Sequence, residues 1–330
     1  MTERKNDNVS AFEAARARLL ALAYRMLGSR AEAEDVVQDV WLKWHLAETD
    51  ELRTPLAWLT TITARVAIDR LRHLQRERAA QTAGWLPEPW LDDMAPSAED
   101  LALRSAQMSY GVMLMLERLK PDERAAFVLH EGFDCDYAEI AKILERTPAA
   151  CRQIVHRAKE RLQRAGAPLQ RPDPGSHSRL VERLRAMLES QDTDGLLSLF
   201  GDAPQVVSDM PVRVSEPVAV ATARQEAVGT VASLCLSAQA EYCERVSING
   251  EIGVALLRDG EIVALLDVTN CDEQIVGVRI VTSGARLITA NRAYGLSAVR
   301  LMLKRLSRRM GCAPHHSIAV CGDFPVDIDA

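Results

Sequence analysis

The front half of the chain is written at helical period. Phe12, Leu19, Leu20, Ala23, Met26 and Leu27 fall on one stripe, which predicts a helix over 10–28. Gly28 stops it, and Ser29-x-x-Glu32 opens the next helix as a capping box. Val37, Val40, Trp41 and Trp44 then form the apolar side of "AEAEDVVQDVWLKWH". A third helix follows Pro55 and runs through "LAWLTTITARVAIDRLRHLQRERA". Helices resume near residue 98 and continue to about 165.

Within that second helical block, "DYAEIAKILERTPAACRQIVHRAKERL" holds two helices in tandem. Asp136 and Glu139 form a capping box for the first, and Thr147-Pro148 supplies a capping hydroxyl and a first-turn proline for the second. Short helices joined by so tight a turn make a helix-turn-helix, whose second helix enters the major groove. Cys151, Val155, Ala158 and Leu162 share one face of it; Arg152, Gln153, His156, Arg157, Lys159, Arg161 and Arg164 populate the rest against a single acid, Glu160. Arg152 and Gln153, near the helix start, are placed to read base edges, and His156, Arg157 and Lys159 to meet phosphates. An ordinary surface helix would also carry solvated charges, so the motif alone establishes a DNA-binding domain and no more.

Two breaks divide the chain. "GAPLQRPDPGSHS" (166–178) ends the helical half. After it, an amphipathic helix (Leu180, Leu184, Met187, Leu188) leads into alternating runs of strand character. "IGVALLRDGEIVALLDV" turns at Asp259-Gly260 as a hairpin, and "QIVGVRIV" is a further strand. The back half is therefore α+β. The other break, "AAQTAGWLPEPWLDDMAPSAED", carries three prolines and reads as a linker, yet it holds two of the chain's five tryptophans. A spacer has no need of them.

Composition changes this picture little. Length of 330 residues allows two or three domains, and 48% hydrophobic with 26% charged residues is ordinary for a globular protein. No apolar run approaches the roughly 20 residues of a membrane span, and the polar start "MTERKNDNVS" does not resemble a signal peptide. Seven cysteines without a CxxC pair form no disulfide framework and point to a reducing cytoplasm. A net charge of −6 argues weakly against nucleic acid as a partner, but that average hides the basic helix. Cys312, His315, His316 and Cys321 match no zinc template, so neither metal nor cofactor is expected.

The blocks "AEDVVQDVWLKWH" and "TPLAWLTTITARVAIDRLRHLQRE", followed by the helix-turn-helix, together resemble an extracytoplasmic-function (ECF) sigma factor of RNA polymerase over residues 10–165. The "WLPEP" linker and the run "LVERLRAMLESQDTDGLLSLFGDAPQVVSDM" resemble the ECF subgroup with a fused SnoaL-like domain. The resemblance implies a multidomain chain: all-α sigma domains, helical bundle and helix-turn-helix, followed by an α+β SnoaL-like cone. Its expected boundaries are a region-2 domain at 1–78, a linker at 79–104, a region-4 domain at 105–166, the cone at 177–290 and a basic helix with tail at 291–330. Expected partners are core RNA polymerase and promoter DNA, with contacts inside the chain between the cone and the sigma domains or linker, no membrane, and a cytoplasmic location.

By the same resemblance, Glu32, Asp35 and Asp39 dock on polymerase. Asp69, Arg70, Arg72 and Arg76 engage the −10 element, and Arg152, Gln153, His156, Arg157 and Lys159 the −35 element. Trp85, Leu86 and Trp90, stiffened by Pro87 and Pro89, need an apolar surface, expected on the cone. The chain departs from the subgroup's "DGGGK", reading Asp209-Met-Pro-Val-Arg213, and from its "NPDKL", reading Ser283-Gly-Ala-Arg-Leu287. SnoaL-like folds can host catalysis, but His177, Asp267 and Glu241 are the only candidates in 177–290, so packing is preferred to chemistry and no catalytic residue is expected. The basic helix at 297–310 is expected to cap the cone or cover the acidic helix near Asp35. Two other readings stand beside the sigma factor: a helix-turn-helix regulator with a ligand-sensing cone, and a SnoaL-type enzyme fused to a DNA-binding module.

Overall fold

The stripe that begins at Phe12 lies within one long helix, α1 (Thr2–Leu27), ended by Gly28 at φ 71°. It packs on α2 (Arg30–Leu46) and α3 (Pro55–Arg78), with Trp44 and Leu59 fully buried between them. The computed structural model describes residues 2–47, 54–78, 86–91, 108–164, 173–209 and 220–295. Only half of the expected capping box at α2 forms. Ser29 Oγ accepts the Glu32 N–H, but the Glu32 carboxylate turns to Arg70, a charged partner stronger than a backbone N–H.

The second helical unit comprises α4 (Tyr110–Leu116), α5 (Pro121–Phe133), α6 (Tyr137–Leu144) and α7 (Pro148–Arg164). Here the sequence signals hold closely. Asp136 and Glu139 make both halves of their box, Glu145 closes α6 at φ 55°, and the Ala150 N–H donates to Thr147 Oγ1 at 3.2 Å. Cys151, Val155, Ala158 and Leu162 are all buried. The two helical units share one continuous core running from Phe12 to Leu162.

The remaining elements are α8 (Pro174–Ser190), α9 (Thr193–Leu199), β1 (Phe200–Ser208), α10 (Val220–Ser237), β2 (Tyr242–Ile248), β3 (Glu251–Arg258), β4 (Glu261–Cys271), β5 (Gln274–Val281) and a last helix, α11, at 284–295. The strands form one sheet in the order β1-β5-β4-β3-β2, antiparallel except for the parallel β1–β5 pair. Asp259 (φ 53°) and Gly260 (φ 76°) make the left-handed turn between β3 and β4, as the Asp-Gly pair predicts.

Strand alternation fails in the middle of the sheet. Gly253–Leu257 and Ala264–Val268 are buried without a break, because both faces of the sheet are covered. Leu180, Leu184, Leu188, Phe200 and Val231 cover one face, over Val254, Leu256, Leu266 and Ile280. On the other, Ala255, Leu257, Leu265 and Val281 meet Leu86, Leu91 and Tyr110, which belong to the linker and to α4.

Candidate polymerase and nucleic-acid interface

On α2, Asp35 and Asp39 are exposed neighbours one turn apart, a ready acidic face. Glu32 is half-buried and differs from them: Arg70 of α3 grips its carboxylate with two nitrogens, Nη2 to Oε1 at 2.8 Å. That hydrogen bond raises the Arg70 pKa further above its usual value. The pair joins a residue expected to meet polymerase to one expected to meet DNA.

The basic side of α3 faces the second helical unit. Arg72 holds Asp69 at 3.0 Å and reaches Asp122, in the first turn of α5, at 2.8 Å. Arg65 donates to the carbonyls of Lys142 (2.8 Å) and Ile143 (3.3 Å) and pairs with Glu145, all at the end of α6. Gln75 donates to Leu119 O at 3.3 Å, and Arg76 turns back to Arg72 O at 3.1 Å. Beneath this rim lies Arg124, 0% exposed, which donates to Arg25 O at 3.1 and 3.2 Å and pairs with Glu117. Arg18 and Arg25 in turn donate to Phe133 O and Gly132 O at the carbonyl end of α5, where cations suit the helix dipole.

Along α7, Arg152, Gln153, His156 and Arg157 are exposed. The Arg152 guanidinium lies 5.1 Å over the Tyr137 ring, which stacks on His130. His156 and Glu160 are 3.4 Å apart. Lys159 is half-buried and bonded to Glu131 at 2.8 Å. Burial opposes the charge on Glu131, but hydrogen bonds from Lys159 and His130 outweigh it and hold the carboxyl below its ordinary pKa. Lys159 lies two turns on from Arg152, on the same face of the helix.

The linker motif is shared between two surfaces. Leu86 and Leu91 are 2% and 8% exposed on the sheet, and Leu91 pairs with Ile248 as an antiparallel bridge. Tyr110 OH donates to Pro87 O at 2.7 Å; burial pushes its phenol well above the ordinary pKa, so it remains a neutral donor. Trp90 was expected on the sheet domain. Its ring instead meets Tyr24 of α1 edge-on at 4.9 Å, beneath the Arg30 guanidinium, because those two groups offer it an aromatic edge and a cation. Trp85 lies outside the described residues.

Between the two prolines, Glu88 does what no sequence signal assigned to it. Its carboxylate accepts the Arg30 N–H at 2.7 Å and Ser29 Oγ–H at 3.1 Å, and its own N–H donates to Gly28 O at 2.8 Å. It therefore caps α2, the acidic helix, from 58 residues away. Asn249, at the β2–β3 turn with φ 51°, closes the node. It accepts from the Trp90 N–H (3.1 Å), donates its N–H to Trp90 O (2.8 Å), and donates Nδ2–H to Tyr24 OH (3.1 Å). The Asn249-Gly250 pair reads in sequence as a hairpin turn, which accounts for both residues and gives no sign of these side-chain bonds.

The two altered loops meet at Asp209. Its carboxylate accepts from the Thr282 N–H (2.8 Å), Thr282 Oγ1 (2.9 Å) and the Ser283 N–H (3.0 Å), and pairs with Arg286 at 3.2 Å. Leu287 is buried beside Leu86. Arg213 lies outside the described residues, as do the basic stretch 297–310 and the Cys312–Cys321 tail. Among the candidates for chemistry, His177 is 4% exposed with its ring nitrogens 2.8 Å from Asn270 Oδ1 and Ile252 O. Asp267 is buried in an ion pair with Arg279, and Glu241 is exposed and accepts the Asp259 N–H at 3.3 Å. None of the three lines the described cavities bordered by Leu234 and Asn291 or by Gln205 and Arg279, and Asp267 Oδ1 is buried without a hydrogen-bond partner among the described residues.

Residues 11–77 match the family model Sigma-70 region 2, and residues 111–162 match Sigma-70, region 4. The chain is 35% identical over 296 residues to the ECF RNA polymerase sigma factor SigJ of Mycobacterium tuberculosis (strain ATCC 25618 / H37Rv), covering 80% of this chain and 92% of that protein. It is 31% identical over 217 residues to the probable ECF RNA polymerase sigma factor SigI of M. tuberculosis (strain CDC 1551 / Oshkosh), covering 63% and 72%. The crystal structure of M. tuberculosis SigJ superposes with a TM-score of 0.63 at 30% identity, covering 84% of this chain and 97% of that one.

Proposed function

Since the chain belongs to the extracytoplasmic-function RNA polymerase sigma factors, we infer that it binds core polymerase, directs promoter recognition and transcription initiation, and is held in a closed form by contacts among its own domains. The observation that carries the regulatory part is the joint between α3 and α5–α6, where Arg72 meets Asp122 at 2.8 Å. The −10 and −35 elements are centred about 25 base pairs apart, or roughly 85 Å of duplex. Two touching domains of this size, each about 25–30 Å across, do not span that. Promoter binding therefore requires the joint to open, and opening releases Arg65 and Arg72 from their protein partners.

In this reading Asp35 and Asp39 present the acidic face to a basic surface of polymerase, with Glu32 joining once Arg70 leaves for DNA. Asp69, Arg70, Arg72 and Arg76 take the −10 region, where arginine holds phosphates and stacks on exposed bases. Arg152 and Gln153 read the −35 bases while His156, Arg157 and Lys159 approach phosphates. The linker residues Leu86, Pro87, Glu88, Pro89 and Trp90 tie α2 to the sheet domain, so that domain acts as a brace on the closed form. We assign it no catalytic step: His177 and Asp267 both serve packing. The site of action is the cytoplasm, with polymerase and DNA.

The test is run-off transcription with core polymerase, comparing the full chain with one ending at residue 170. The shortened chain loses the surface that holds Leu86, Leu91 and Tyr110, and its output is expected to rise. An equal or lower output would refute the brace, while absence of transcription by both chains on any promoter would refute the sigma reading itself.

A further inference from the structure

The cations of α7 differ in what they rest on. Lys159, Arg161 and Arg164 each hold a carboxylate, from Glu131, Glu123 and Glu160, at 2.8, 2.7 and 3.2 Å. Arg152 rests on a ring instead. Its guanidinium carbon lies 5.1 Å from the centroid of Tyr137, and among the described residues it makes no ion pair or hydrogen bond. The difference is chemical. A carboxylate occupies the N–H groups of an arginine, whereas an aromatic face attracts the cation and leaves its donors open. An open planar fork is what bidentate recognition of guanine O6 and N7 requires.

The Tyr137 ring is itself held in place. Tyr137 opens α6, whose first turn is closed by reciprocal bonds: the Glu139 N–H donates to Asp136 Oδ1 at 2.7 Å, and the Asp136 N–H to Glu139 Oε2 at 3.0 Å. The side chain is half-buried and packs against the helical core. Its ring stacks on His130, in the last turn of α5, with 4.7 Å between centroids and 27° between planes. His130 is anchored in turn, its Nδ1 2.7 Å from Glu131, which also binds Lys159. The Tyr137 hydroxyl makes no hydrogen bond among the described residues, so the ring is what its neighbours use. A chain of contacts thus crosses the helix-turn-helix, from the end of α5 through the start of α6 to an exposed side chain one turn into α7.

We propose that Tyr137 is a positioning residue for promoter recognition: by holding the Arg152 guanidinium with its N–H fork free, it sharpens the selection of guanine at one position of the −35 element. An arginine on a helix surface samples many rotamers, and ordering it costs free energy when the base is met. A guanidinium already resting on a fixed ring has lost part of that freedom before DNA arrives. Tyr137 acts through Arg152 and is not itself a base-reading group. The proposal rests on the reading of Arg152 as a residue that meets base edges.

The experiment uses the full chain with core polymerase on promoters whose −35 element is randomised and marked by a barcode in the transcript. Sequencing the run-off products gives the base preference at each position for wild type, Tyr137→Phe, Tyr137→Leu, Tyr137→Ala and Arg152→Ala. Wild type is expected to favour guanine at one position, and Arg152→Ala to lose that preference, a change of about 5- to 150-fold. Tyr137→Leu keeps apolar bulk without a ring. It and Tyr137→Ala are expected to lower the preference at that position alone by about two- to five-fold, the range of an exposed cation–π contact. Tyr137→Phe should match wild type, because the hydroxyl is not used. A merely structural role would lower output on every promoter alike and leave the preferences unchanged, and that result overturns the proposal. If thermal unfolding shows that Tyr137→Ala does not fold, Tyr137→Leu decides. Should Arg152→Ala keep the guanine preference, the reading of Arg152 fails and the proposal with it. Should Arg152→Ala lose the preference while Tyr137→Leu keeps it, only the positioning fails.

Discussion

At the scale of single residues, two side chains carry more than their types suggest. Glu88 sits between prolines, which offer no N–H of their own, so its carboxylate is free to serve another segment. It finds the open end of α2. Glu88→Ala removes that cap and should lower stability by about 1 kcal/mol in guanidinium denaturation, with Glu88→Gln losing less because an acceptor remains. Arg124 presents a different case, a buried charge whose donors are spent on Arg25 O and Glu117. Arg124→Met removes the buried cation from the Glu117 carboxylate and should cost about 3 kcal/mol, the low end for a broken buried pair because Glu117 retains some solvent. Adding Glu117→Gln should recover part of that loss, and a strictly additive double variant would show the pair is not coupled.

At the element scale, the proposed regulation sits in one joint. Helix α3 has an apolar side for α1 and α2 and a basic side, proposed to meet DNA, that rests here on α5 and α6. Arg72 is half exposed, so solvent screening keeps its pair with Asp122 weak. Weakness suits a contact that has to release. Asp122→Asn keeps the size and removes the charge; at about 0.5–1 kcal/mol it should shift the closed–open balance two- to five-fold. Run-off transcription at limiting sigma should rise accordingly, with thermal stability almost unchanged. A fall in transcription would mean that Asp122 serves the open, DNA-bound form instead.

For the molecule as a whole, the linker is proposed to set both separation and state. Leu86 and Leu91 are buried on the sheet, half-buried Trp90 and Glu88 rest on the first helical unit, and each buried leucine is worth about 2 kcal/mol. The six residues thus hold three domains at one node. Dyes placed at the exposed Glu77 on α3 and Glu160 on α7, neither assigned to DNA, should report a short distance in the free protein. On binding core polymerase and promoter DNA, the distance should lengthen well beyond the closed value, toward the roughly 85 Å between the elements. An unchanged transfer efficiency in the transcribing complex would contradict the opening.

The sequence by itself determined the helices, most of their caps, the helix-turn-helix and the hairpin at Asp259-Gly260, and its motifs carried the resemblance to the sigma family. The local elements depend on period and capping chemistry settled within a few residues: Asp136 meets Glu139, and Thr147 meets Ala150. Trp90 was legible as needing a surface but not as choosing α1 over the sheet, since an aromatic ring suits either. Only the tertiary structure decided that choice, the cap of Glu88 on Arg30 across 58 residues, the Arg72–Asp122 contact across 50, and the Asn249–Tyr24 bond across 225. Local pattern states that a group needs a partner. Which partner it takes depends on distant surfaces brought together by burial of apolar side chains, and burial is non-directional until the whole chain has packed.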